Sequence, residues 1–111
     1  MSAEPDIPPL VWGPMVYGQV FDSIQMLAFS GPLRAIPLAR VQQRVGGDWL
    51  VGVNQHYIWE RRLHAVAPSE RLAMRWAERW AEANRARLYE EVLDRHRHPE
   101  RYRFRPRADE R

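Results

Sequence analysis

Between Ser69 and Pro99, apolar side chains return every three or four residues. Leu72, Ala73, Trp76, Ala77, Trp80 and Ala81 come first, followed by Leu88, Tyr89, Val92 and Leu93, rotated about the axis. That period belongs to an α-helix with one face buried. Arg71, Arg75, Glu78, Glu82 and Arg85 fall on the opposite face, where pairs such as Arg75/Glu78 and Glu82/Arg85 are spaced to stabilise a solvated surface. Ser69 is placed to cap the helix and Glu70 to complement its dipole. The change of stripe at Asn84 predicts either a curved helix or a break into two pieces with different partners. So long an amphipathic segment demands an apolar surface from the rest of the chain.

The candidates for that surface lie upstream. Leu38 to Val45 alternates Ala39, Val41 and Val45 against Leu38, Arg40, Gln42 and Arg44, and Trp49, Val51 and Val53 share a face of the next run. Gly46-Gly47 between them predicts a two-residue hairpin turn. Asn54-Gln55 predicts a second turn, and His56 to Leu63 a third strand with Tyr57 and Trp59 on one face. From Met15 to Phe29, Val16, Tyr17, Val20, Phe21, Ile24, Leu27 and Ala28 recur at helical spacing, with Pro14 before them and Ser30-Gly31-Pro32 after. This predicts an amphipathic helix over 15–29; Gly18 and the β-branched residues make a strand the competing reading. The expected fold is α+β: an N-terminal helix, a three-stranded antiparallel meander, a long C-terminal helix and a basic tail. Residues 1–9 read as a proline-rich lead-in, 10–98 as a single domain and 99–111 as an Arg/aromatic tail.

With 111 residues and no Cys, the core rests on apolar burial alone. Absent Cys excludes thiolate zinc sites and cysteine nucleophiles; absent Lys excludes a Schiff base and an intact P-loop. The four Ser are Ser2, Ser23, Ser30 and Ser69, and no His is placed beside them by spacing. His56 and Glu60 would be neighbours only on a helix, and His96-x-His98 lacks carboxylate or Cys partners for a metal. The expectation is a non-enzymatic binding protein with no cofactor and no metal. An acidic start, the absence of a basic n-region and the polar residues in Leu10–Phe29 point to a cytoplasmic protein with no membrane span.

All 17 basic residues are Arg, and none precedes Arg34, whereas Glu4, Asp6 and Asp22 lie in the first 33 residues. The strongest concentration is the tail, where Arg101, Arg103, Arg105 and Arg107 alternate with Tyr102, Phe104 and Pro106. Extended, such a segment sets successive guanidinium groups roughly 6–7 Å apart, near the spacing of phosphates, with aromatics to stack on bases. With Arg61 and Arg62 on the third strand, these residues make DNA or RNA the first expected partner.

The second expectation is a protein-interaction module, an inhibitor, adaptor or assembly factor that pairs with a protein or with itself. Its surface would be Trp76 and Trp80, or Leu88, Val92 and Leu93, since Trp is a frequent interface anchor. The order of elements from Val41 to Ala86, three strands and then a helix, is similar to the small three-stranded DNA-binding domains of integrases and plant transcription factors. That resemblance is one of topology and carries no shared residue motif.

Overall fold

The computed structural model describes residues 6–17, 19–57 and 62–102, without the side chains of 16–22 and 102. Five strands form one antiparallel sheet in chain order: β1 (Leu10–Tyr17), β2 (Gln19–Phe29), β3 (Ala39–Gln43), β4 (Trp49–Val53) and β5 (Leu63–Ala67). Two helices follow, α1 (Glu70–Ala83) and α2 (Arg85–Arg97). Short 3-10 helices cover Gly31–Ala35 and Pro99–Tyr102.

Among the described residues there is no N-terminal helix, and their sheet has five strands where three were expected. Residues 15–29 belong to a β1–β2 hairpin in which Leu10 faces Phe29 and Tyr17 faces Gln19. Valine, isoleucine and aromatic residues are stiff at χ1 and suit a pleated surface better than a helix. The helix-like spacing came from counting apolar residues of both sheet faces as one stripe. Gly18 and residues 58–61, which include the Trp59, Glu60 and Arg61 of the sequence reading, lie outside the described residues.

The third strand of the expected meander is also displaced. His56 sits in a turn opened by Asn54 (φ 56°), with Tyr57 N donating to Asn54 O at 3.0 Å, and β5 begins at Leu63. Asn tolerates the left-handed region, so the turn extends past Asn54-Gln55. At the β3–β4 hairpin, Arg44 N bonds Asp48 O at 2.8 Å around three loop residues, and Gly47 takes a φ of 94°. A left-handed glycine closing a three-residue loop accounts for the difference from a two-residue turn.

The sheet buries one face. Leu27, Phe29, Ala39, Val41, Val51 and Val53 project toward the helices and meet Ala73, Ala77 and Ala81 of α1 and Leu88 and Val92 of α2. The alanine stripe lets α1 lie close to the strands. Phe29 meets Tyr89 edge to face at 5.6 Å, which fastens α2 to β2. Ser69 Oγ accepts from Leu72 N at 3.3 Å to start α1. At its end, Asn84 N reaches Trp80 O and Ala81 O while Asn84 Nδ2 donates to Trp80 O at 2.8 Å. Asn84 thus satisfies carbonyls that a continuous helix would pass forward, and the chain turns into α2 there.

The lead-in is tied down where it is described: Arg85 donates to the carbonyls of Ile7 and Pro8 at 3.0 and 3.4 Å. Trp12 Nε1 donates to Glu78 Oε1 at 2.8 Å, joining β1 to α1.

Candidate functional site

Because both helices pack on one face, the other face of the sheet stays open. Pairing across the strands sets Gly13 beside Met26, Met26 beside Arg40, Arg40 beside Gly52 and Gly52 beside His64. Strand alternation puts this whole row on the face away from the helices. The neighbouring row runs from Ile24 through Gln42 and Leu50 to Val66.

Two side chains from outside the strands lie down on this face. A Cβ at Gly13 would stand 3.1 Å from an Arg34 guanidinium nitrogen, so glycine there gives Arg34 room over β1. A Cβ at Gly52 would stand 2.7 Å from Gln55 Nε2, so the buried Gln55 side chain covers β4. Arg62 joins them, its guanidinium fixed to Tyr57 O at 2.9 Å and Gln55 O at 3.3 Å. Burial and the nearby charge of Arg40 both lower the pKa of Arg62, so the two cations feel each other. Arg34, Met26, Arg40, Gln55 and His64 therefore form a line across five strands, with Arg62 alongside it. At about 4.8 Å per strand, β1 beneath Arg34 and β3 beneath Arg40 lie about 10 Å apart.

Among the described side chains none on this face is a carboxylate. The described acidic side chains sit on the helices, at Asp48 in a hairpin, at Asp6 near the start and at Glu100 beyond α2, while Asp22 belongs to β2 with its side chain outside those described. Next to Arg34 the face deepens into a cavity of about 750 Å³ over Val11, Met26 and Ala28, walled by Pro32 and Pro37.

A second cluster joins the β4–β5 loop to α2. His56, fully buried, has Nε2 at 2.8 Å from Glu91 Oε1. Tyr57 OH donates to Glu91 Oε2, and Arg87 donates to Glu91 Oε1 at 2.9 Å. Arg95 donates to His56 O at 2.6 Å. Burial holds the His56 pKa below its ordinary value despite the Glu91 hydrogen bond, which favours the neutral ring. Burial pushes Glu91 upward, but the hydrogen bonds from Tyr57 and His56 and the charge of Arg87 outweigh it and hold the carboxyl low. With both Glu91 oxygens engaged, this arrangement works as a clamp between loop and helix. Its carboxylate comes from α2, 35 residues beyond the histidine, a separation at which no sequence spacing is informative.

The other expected residues scatter. Leu88 and Val92 are core residues and Leu93 and Trp80 pack against the core, so they hold α2 and α1 in place and do not form an exposed patch. Trp76 stays exposed. Arg101 belongs to the Pro99–Tyr102 turn and bridges Asp94 at 2.9 Å, so the chain is not extended there. Arg61, Arg103, Phe104, Arg105, Arg107 and the Tyr102 side chain lie outside the described residues. His96 is on α2 and His98 just past it, 3.5 Å from Glu100, so the pair does not share a strand face. Among the described residues no group of three or more His, Asp or Glu is placed to hold a metal ion. None of their helices is long and apolar enough to cross a membrane.

Comparison with known families, curated proteins and solved structures gives no match to this chain.

Sequence reading singled out Arg62 and passed over Arg34 and Arg40. The signal for Arg40 was present in the Arg40/Gln42 alternation of β3. Arg34 carried none, since only the fold lays a residue of the 3-10 helix over β1.

Proposed function

We propose that the protein is a non-enzymatic, nucleic-acid-associated factor that grips phosphates with the open face of its sheet. The observation that carries this reading is the row across the strands. Arg34 and Arg40 lie on a face where the described side chains include Gln, His, Arg and apolar groups and no acid. Guanidinium groups bind phosphate bidentately and stay charged at any relevant pH. Gln42 and His64 supply hydrogen-bonding groups beside the cations, of the kind that meets sugar and base edges. The Arg-rich segment from Arg101 onward adds positive charge that strengthens attraction to the same polyanion.

Fluorescence anisotropy at low salt with labelled duplex DNA, single-stranded DNA and RNA tests the proposal. At least one of these binds saturably, and Arg34→Glu/Arg40→Glu weakens it by about tenfold or more. Arg71→Glu, an exposed change on α1, has a much smaller effect. Equal losses from the two variants, or no binding to any of the three probes, would sink it.

A further inference from the structure

The two edges of the sheet are built differently. β1 carries Pro14 and a register shift between Pro14 and Met15, both of which discourage another strand from adding. β5, Leu63-His64-Ala65-Val66-Ala67, has no proline, no bulge and no Arg, Asp or Glu. It pairs with β4 alone among the described residues, so no described strand takes its outer backbone N–H and C=O groups.

The apolar exposure of the molecule gathers at this same edge. Among the described residues five large apolar ones are exposed: Val45 at a hairpin tip, and Leu63 (61%), Val66 (53%), Leu72 (49%) and Trp76 (43%) on β5 and the adjoining flank of α1. Between β5 and α1 runs a groove of about 260 Å³, floored by Val51 and Ala65, walled by Leu72 and Trp76 and rimmed by Arg75 and Arg79. Neither Arg75 nor Arg79 has an acidic partner among the described residues.

We propose that β5 and the flank of α1 form a docking edge for an extended acidic segment of a partner protein, which adds as a sixth strand. Alternate apolar side chains of that segment enter the groove beside Leu72 and Trp76, while its carboxylates pair with Arg75 and Arg79. Main-chain bonds supply affinity in such strand addition and the pockets supply specificity. Charge selects an acidic partner over a second copy of this chain. Self-pairing of β5 about a two-fold axis would turn the α1 flanks of the two copies toward each other, Arg75 and Arg79 against their own kind. The docking edge shares β5 with the open face through His64 and Val66, but its groove lies between β5 and α1 on the helix side of the sheet, so neither function requires the other.

The test uses the full chain and a fluorescein-labelled peptide of alternating Val and Glu, with the Val/Lys counterpart as control. The Val/Glu peptide binds saturably by anisotropy and slows hydrogen exchange at the amides of residues 63–67. Arg75→Glu/Arg79→Glu weakens binding by about tenfold, and Val66→Asp, which places a negative charge on the edge strand, weakens it comparably. All three positions are exposed, so unchanged thermal melts separate lost docking from lost folding. Absence of binding, equal binding of the Val/Lys peptide, or bound peptide without protection of β5 overturns the proposal. So does a concentration-dependent dimer that protects the β5 amides without peptide, which would make the occupant a second copy.

Discussion

His56 is buried in the turn that follows β4 with its Nε2 2.8 Å from Glu91 Oε1, so that turn is locked to the middle of α2. The same carboxylate takes Tyr57 and Arg87, and the loop that carries His56 also anchors Arg62. The clamp thus sets the position of one cation on the open face.

Removing the Glu91 charge leaves a buried imidazole and a phenol with a weaker acceptor. Glu91→Gln is expected to cost about 1–3 kcal/mol in urea unfolding, at an unchanged slope with denaturant. Nucleic-acid affinity should fall less than in Arg34→Glu/Arg40→Glu, since the clamp positions Arg62 and does not touch phosphate.

Acid should loosen the same clamp. Burial lowers the folded-state pKa of His56 below its ordinary value of 6.5, so the unfolded chain takes the proton first. Stability is therefore fully present above 6.5 and declines as pH falls below it. Glu91 is also held below its ordinary value of 4.5, so its contribution is present above that value and disappears as pH falls through the lowered one. Both act in one direction. Unfolding free energy measured across the acid range should decline in two limbs, and His56→Gln should remove the upper limb.

Core and surface apolar residues on the helices should separate cleanly. Leu88 is fully buried, and Leu88→Ala should cost about 2–5 kcal/mol. Trp76 is exposed enough that Trp76→Ala should cost about 1 kcal/mol or less by chemical denaturation.

Ser69 offers a smaller and more local test. Its hydroxyl accepts from Leu72 N, and Ser69→Ala should cost about 1 kcal/mol while leaving the sheet unchanged by circular dichroism.

The parts of this fold legible in the sequence are those set by local chemistry. Ser69 and Asn84 mark helix ends because their side chains bond backbone groups within one turn. β3 and β4 show themselves because Ala39, Val41, Val51 and Val53 alternate with residues that face water. The β1–β2 hairpin is harder to read. One of its faces meets the core and the other meets the cavity beside Arg34, so apolar residues occur on both and period two is lost. β5 is masked by its alanines, which give almost no hydrophobic contrast. The row of Arg34, Arg40 and His64 and the His56–Glu91 pair are tertiary products of strand register and helix docking, which local spacing does not encode.

The salt dependence of nucleic-acid binding tests the central claim most directly. If Arg34, Arg40 and Arg62 each neutralise a phosphate, log K against log salt for duplex DNA should have a slope of at least about −2.7 in magnitude. The charge-removing variant Arg34→Gln/Arg40→Gln should reduce that magnitude by about 2. A wild-type slope near zero, or the same slope in wild type and variant, would contradict a phosphate-binding sheet face.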